Sequence, residues 1–483
     1  MIDGSCAAIA SLFDNYVGGA AFGDPDSIDL THYFERSLDE ISTSSIGREV
    51  VLPLLNGDLE IRFDERDIRE GELAALAEGC NARQAQAVGV AFGAEQVACI
   101  QGPPGTGKTR VLALIARLMV ARGERILMTS HTHMAINNAL NKIHAQGVPT
   151  VKIGGGTRRF SLDNAVPICP NLGAWGERPT NGYVVGATPF ATCSSRLEGF
   201  DFDTIIFDEA SQITVPLAIM AMRKGRRFIF VGDQKQLPPI MLSRSILSND
   251  ALAVFTAITS MDALHTVMLI ETYRMNRWLA EWPSQTHYGG ELTSVGGNQE
   301  RRLALNEASH VPEKFKAVFD PDPKACGIFI PTLDASARTH NSRDAQLVVE
   351  LCATAVAGGF PLSDIGIVTP YRAQGRAIRN LLSQQFGRAT ARNVVADTVE
   401  RMQGQERELI ILSLATGDEV FLAHIAGFFF QPERLNVAIT RAMTKLIVIG
   451  PALQSVPSLE DETIERWVSQ YRDLIGQLQR VDL

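Results

Sequence analysis

Apolar residues along this chain do not keep one rhythm. Beyond residue 85, short unbroken apolar runs alternate with longer stretches in which apolar positions recur every three or four residues. The runs are "QVACI", "RILMTS", "GYVVGA", "TIIFDEA" and "RFIFVGD", and "VLALIARLMV" exemplifies the longer spacing. The first kind predicts strands buried on both faces, the second helices. A second series follows with "TVMLIE", "DIGIVTP", "ELIILSLA" and "KLIVIGP". Strands alternating with helices predict parallel sheets covered on both faces, and two blocks of similar length predict an α/β chain with two tandem sheets.

Before residue 85 the pattern loosens. Residues 1–48 read as loop-rich, with "GGAAFGDPDS" and "STSSIG" bracketing a short helical pattern. "REVVLPLL" and "DLEIRF" read as two strands joined by Asn56-Gly57, a hairpin signal.

Composition narrows the class. A chain of 483 residues, 45% hydrophobic and 20% charged, has room for more than one globular domain. No apolar run reaches the roughly 18 residues of a membrane span. The early apolar stretch "CAAIASLF" lacks a basic flank, the first such residue being Arg36, which argues against a secretory signal. The cysteines form no CxxC pair, so reduced thiols in a cytoplasmic protein are expected, with no zinc or iron–sulfur site.

Charge is uneven along the chain. Residues 1–80 hold 17 acidic and 5 basic side chains, a net of −12, against −9 for the whole. The remainder therefore sums to +3. The acidity belongs to one end, and a near-neutral body is compatible with an enzyme that grips phosphates at a few places in a groove.

The stretch "CIQGPPGTGKT" at residues 99–109 holds more turn residues than a turn needs. Gly102, Pro103, Pro104, Gly105, Thr106 and Gly107 run into Lys108 and Thr109, after a strand pattern and before a helix pattern. That context is the one a phosphate-binding loop requires. Its backbone amides cradle phosphates, Lys108 reaches the β- and γ-phosphates, and the Thr109 hydroxyl ligates Mg²⁺. The cofactors expected are therefore ATP and Mg²⁺. "TIIFDEAS" supplies the carboxylates: Asp208 to hold the metal and Glu209 to orient or deprotonate the attacking water. "FIFVGDQKQLPPI" repeats the scheme, with Gln236 as a candidate γ-phosphate sensor.

The order of motifs over residues 81–450 resembles superfamily 1 helicases of group B, the branch with the nonsense-mediated-decay RNA helicase and the replication nuclease-helicase. It reads "NARQ", "GPPGTGKT", "SHTHMAINN", "ATPFA", "DEASQ", "GDQKQLPP", "ETYRMN", "VTPYRAQ", "TVERMQGQERE" and "RLNVAITRA". Any one of these arises by chance; the ordered set does not. The resemblance implies two tandem RecA-like domains, at 81–262 and 263–452, with an acidic accessory region at 1–80 and a helical tail at 453–483. It implies that Asn81 and Gln84 precede the loop as readers of the adenine edge. Tyr273 is implied to stack on the base, Arg274 and Arg441 to be arginine fingers from the second domain, and Glu406 to touch the nucleotide from the far side. It places Thr132, Thr188, Thr369 and Thr398 on the nucleic-acid backbone, though helix capping would also explain a threonine at such positions. His131 and His133 read as loop residues facing the strand, or as plain loop, not as a metal pair.

Two departures stand out. The stretch between "VKIGGG" and "GYVVGA" is too short for the helical insertion of many relatives, and the usual β-barrel shrinks to the hairpin at 48–63. No nuclease motif is present, so a nuclease would act from another chain. The expectation is an ATP-driven translocase moving 5′→3′ on single-stranded nucleic acid, DNA favoured over RNA. The alternative is a nucleotide-dependent switch or scaffold that binds nucleic acid without travelling.

Overall fold

The computed structural model describes residues 31–155, 159, 161–239, 253–260, 266–332, 334–402, 404–453 and 461–483. The loop expected at "GGAAFGDPDS" lies outside them. The chain divides into two compact units at residues 269/270, with residues 103–106 and 235–237 grouping with the second.

The first unit is built on β1 (Val97–Gln101), β2 (Arg125–Thr129), β3 (Thr150–Ile153), β4 (Ile168–Cys169), β5 (Tyr183–Gly186), β6 (Thr204–Phe207), β7 (Arg227–Gly232) and β8 (Thr266–Met268). They form one sheet in the order β4-β3-β5-β2-β6-β7-β1-β8. Every pairing between them is parallel. Its strands β1 and β6 are buried along their whole length, β2 and β7 at all but their first residue, and two apolar clusters lie against the sheet. That is why they read as unbroken apolar runs. "TVMLIE" was expected to open the second domain; instead β8 extends the first sheet beside β1. Its short apolar run gave no sign of which sheet it would join.

The expected hairpin at 48–63 does not form. Gly47–Val51 is a single wide helical turn and Leu52–Asn56 continues as α-helix. Gly57, with φ of 78°, closes that helix as a left-handed C-cap. An Asn-Gly step supplies the same backbone conformation to a hairpin turn and to a helix end, so the local signal was ambiguous. Burial decided it: Val51 and Leu54 insert into the first unit's core. "DLEIRF" contributes a single bridge, Phe63 to Ala94.

The described part of the acidic segment, residues 31–80, packs within the first unit. The helix Thr31–Thr43 buries Phe34 and Ile41, and the helix Glu65–Ala77 lies along Ala82–Gly93. Its carboxylates find arginines there. Glu40 pairs with Arg223, Asp67 and Glu70 with Arg122 (2.5 and 2.9 Å), and Glu78 with Arg117 (2.7 Å). The Arg122 guanidinium hydrogen-bonded to Asp67 holds its carboxyl below the usual range.

The second unit carries β9 (Glu271–Thr272) and β10 (Thr293–Ser294) as a small pair. Its main sheet uses β11 (Gly327–Pro331), β12 (Ile365–Thr369), β13 (Val395–Thr398), β14 (Arg407–Ser413), β15 (Ala442–Gly450) and β16 (Gln479–Arg480). The order is β13-β12-β14-β15-β11-β16, again with parallel pairings. The expected tail is part of this unit: the helix Glu462–Gln477 buries Val468, Tyr471 and Leu474, and β16 completes the sheet edge.

Candidate active site

Sheet order decides which residues meet. Along the carboxyl ends of β2, β6, β7 and β1, the first residues beyond the strands are Ser130, Asp208, Asp233 and Gly102. The Asp208 N–H donates to the Thr129 carbonyl at 2.9 Å, and the Gly102 N–H to the Gly232 carbonyl at 2.9 Å. Parallel α/β sheets bind ligands at this edge.

The glycine-rich loop passes from β1 to the helix Lys108–Ala121. Gly107 precedes that helix with φ of 85°, and a Cβ there would lie 2.8 Å from the Gln84 amide nitrogen. Both constraints select glycine. Thr106 Oγ1 donates to the Pro103 carbonyl at 2.7 Å, tightening the loop. The Lys108 ammonium donates to the Gly102 carbonyl, folding back across the loop. The helix has no acidic residue in its first turn, so its free amides meet no competing carboxylate. Thr109 follows, partly exposed.

Asp208 is buried, and its Oδ1 accepts the Glu209 N–H at 3.0 Å. Burial raises its pKa, Glu209 beside it adds to the rise, and Lys108 opposes it. Glu209 holds φ of 51°, a left-handed conformation that a non-glycine residue adopts at a cost. Around these groups the hydroxyls of Thr129, Ser130 and Ser211 are buried and have no hydrogen-bond partner among the described residues. Gln101 Nε2 and Asp233 Oδ1 are 3.4 Å apart beside them. Orphaned hydroxyls and a buried carboxyl group are a donor set suited to a hydrated Mg²⁺ and phosphate oxygens. Sequence reasoning passed over Gln101, Thr129, Ser130, Ser211 and Asp233. All but Ser211 are polar residues at or just past the end of an apolar strand, and that position was the available signal; Ser211 lies in the short turn after β6.

Asn81 and Gln84 form a reciprocal capping box at the start of the helix Ala82–Gly93. The Gln84 N–H donates to Asn81 Oδ1 at 2.8 Å, and the Asn81 N–H donates to Gln84 Oε1 at 3.2 Å. This holds the Gln84 amide beside Gly107.

In the second unit the expected residues gather at the other end of the sheet. Arg441 immediately precedes β15, and Glu406 precedes β14. Arg274 Nε pairs with the Glu406 carboxylate at 2.6 Å, and its Nη1 donates to the Thr440 carbonyl at 3.0 Å. Arg441 is 2% exposed and donates to the carbonyls of Val437 (3.0 Å) and Gln405 (3.3 Å). Glu406 thus engages an arginine, a partner the sequence reading did not foresee. Gln236 is buried in the segment that groups with this unit. The Tyr273 side chain is 42% exposed, its hydroxyl donating to Glu271 at 3.0 Å.

The four threonines differ. Thr132 caps the helix His133–His144, accepting the Ala135 N–H at 3.2 Å, while Thr188 precedes Pro189–Thr192 without a side-chain cap bond. Thr369 and Thr398 end adjacent strands and pair in register.

Two AAA domain families match the chain, one over residues 79–281 and the other over residues 251–453. The human DNA replication ATP-dependent helicase/nuclease DNA2 is 28% identical over 420 residues, which cover 80% of this chain and 39% of that protein. Its Saccharomyces cerevisiae counterpart is 29% identical over 412 residues, covering 79% and 26%. The DNA polymerase alpha-associated DNA helicase A of Schizosaccharomyces pombe is 26% identical over 508 residues, covering 91% and 71%. The chain thus spans well under half the length of the helicase/nucleases it resembles.

Proposed function

We propose, for a chain with two AAA domains and a motif order similar to that of superfamily 1 helicases, that it hydrolyses ATP to move along single-stranded DNA. The observation that carries the ATPase reading is the edge of the first sheet. There Gly102, Lys108, buried Asp208 and three orphaned hydroxyls converge.

Each residue has a task on this reading. The loop amides and Lys108 hold the phosphates, and Gln84 orients the base from its capping box. Asp208 and Thr109 hold Mg²⁺, which when bound offsets phosphate charge. Glu209, set by its left-handed backbone, positions the attacking water and accepts its proton. Arg274 and Arg441 stabilise the transferring phosphoryl group, a role that rests on their motifs "ETYRMN" and "RLNVAITRA". Thr132, Thr188, Thr369 and Thr398 grip the sugar-phosphate backbone. Movement is 5′→3′, as the group B motif order implies.

The test is ATP turnover with single-stranded DNA, with single-stranded RNA and with neither, followed by displacement of streptavidin from either end of a biotinylated strand. Turnover stimulated most by DNA, with displacement from the 3′ end, is expected. Stimulated turnover without displacement would favour the switch, and displacement from the 5′ end alone would reverse the polarity.

A further inference from the structure

The carboxyl edge of the second sheet holds a surface that the ATPase reading leaves unused. β12 and β13 end side by side, and Thr369 Oγ1 accepts the Tyr371 N–H at 3.4 Å. Beyond β14 the helix Glu419–Phe429 begins, capped by Asp418. It buries Leu422, Ala426 and Phe429. On its outer side stand Val420, His424 and Phe428, four residues apart, with Val420 64% and Phe428 40% exposed. A surface helix ordinarily turns polar side chains outward, so this stripe calls for an occupant.

Neighbouring contacts indicate which one. The Phe428 ring lies 6.4 Å from that of Tyr371, whose hydroxyl accepts from Thr416 Oγ1 at 3.0 Å and is thereby held. The Arg434 guanidinium sits 4.4 Å over the Phe428 ring and pairs with Glu400, in the turn directly after Thr398. Farther along the helix, Arg338 lies 5.4 Å from the Phe421 ring centre and pairs with Asp418 at 2.9 Å. Phe428 thus lies near Tyr371, whose N–H donates to Thr369, and beside Arg434, which pairs with Glu400 two residues after Thr398. Both arginines have carboxylate partners, so attraction by bulk charge is weak here. Rings with guanidinium groups beside them are the chemistry of sequence-tolerant base stacking.

We propose that Phe428, with Tyr371 and Arg434, forms a stacking platform for the bases of a single strand whose backbone lies along Thr369 and Thr398. This rests on the nucleic-acid reading above. The platform adds affinity through bases, whereas the threonines act on any sugar-phosphate chain.

The test compares binding of the full chain, by fluorescence anisotropy at one salt concentration, to oligothymidylate and to an abasic strand of equal length. Wild type is expected to prefer oligothymidylate by about tenfold, the order that stacking of one or two bases supplies. Phe428→Ala should remove most of that preference while leaving abasic binding unchanged, and Phe428→Trp should restore it. Equal weakening on both strands, or an unchanged preference in Phe428→Ala, overturns the platform while leaving the proposed function in place. An unchanged preference would point to a protein docking on the stripe. Failure of wild type to bind either strand removes both.

Discussion

The two units share a parallel sheet but place their chemistry on opposite edges. In the first, Asp208, the orphaned hydroxyls and Gly102, which opens the glycine-rich loop, stand at the carboxyl ends of the strands. In the second, Arg441 and Glu406 stand before β15 and β14, at the amino ends, while Thr369 and Thr398 occupy the carboxyl ends. The polar groups also differ in their partners. Those of the first unit include a buried acid whose pKa burial raises and hydroxyls with no hydrogen-bond partner among the described residues, whereas Arg274 and Arg441 are bonded to Glu406 and to main-chain carbonyls. A fold repeated within one chain can thus hold one copy ready for a ligand and the other with its charges already ordered.

The sharpest way to break this comparison is to disable the first edge. Lys108→Ala and Glu209→Gln should each lower ATP turnover by at least about 10²–10⁴-fold, the scale of a lost general base or charge clamp. Nucleotide binding should separate them: Lys108→Ala loses affinity, while Glu209→Gln keeps it and traps ATP. Equal affinity loss in both, measured by titration with a fluorescent ATP analogue, contradicts the roles given.

Next in size is the second unit's contribution. Arg441→Ala should reduce turnover by about 10³-fold, with strand affinity in the absence of nucleotide nearly unchanged. A collapse of that affinity instead would assign Arg441 to nucleic acid. Glu406→Gln should have a smaller effect, because it frees Arg274 from an ion pair rather than removing a charge from the reaction.

Buried lysines extend the comparison to stability. Lys152 in β3 is 1% exposed, and its ammonium has no hydrogen-bond partner among the described residues; burial depresses its pKa to about 7. Lys445 in β15 is equally buried but donates to the Asp320 carbonyl at 3.0 Å, with burial depressing its pKa to about 8. The folded state therefore gives up these protons at a lower pH than the unfolded chain. Stability from this source rises as pH climbs from about 7 toward the ordinary lysine value near 10.5. Lys152→Met should raise the melting temperature at pH 7 by several degrees and flatten its rise between pH 7 and 10. Lys445→Met should gain less, since it also orphans a carbonyl.

The smallest effect concerns Asp344, where burial raises the pKa to about 7 against the Thr332 hydroxyl, whose single O–H is shared between the two carboxylate oxygens. A raised acid favours the folded state only while protonated, so its contribution is lost as pH rises from about 4 to 7. Asp344→Asn should remove that decline, a change of a degree or two in a melting curve at pH 8. A variant less stable than wild type at pH 8 would show that the ionised carboxylate is wanted there.

Much of the site was legible because it is local. A glycine-rich turn between a strand and a helix, and a carboxylate pair ending a strand, need only their neighbours in the chain to be read. The hairpin at 48–63 was misread because Asn-Gly ends a helix as readily as it turns a hairpin. The −12 of residues 1–80 also meant less than it promised, since Glu40, Asp67, Glu70 and Glu78 meet arginines from distant parts of the chain.

By itself, then, the sequence determined the strands of both sheets' centres, the glycine-rich loop between a strand and a helix and the order of motifs, all set by short-range periodicity and steric demands. Tertiary structure alone decided that β8 joins the first sheet and β16 the second, which hydroxyls surround Asp208, and that Arg274 meets Glu406. These depend on strand order and on burial, which mostly bring together residues dozens to more than a hundred positions apart, and no local pattern encodes such a meeting.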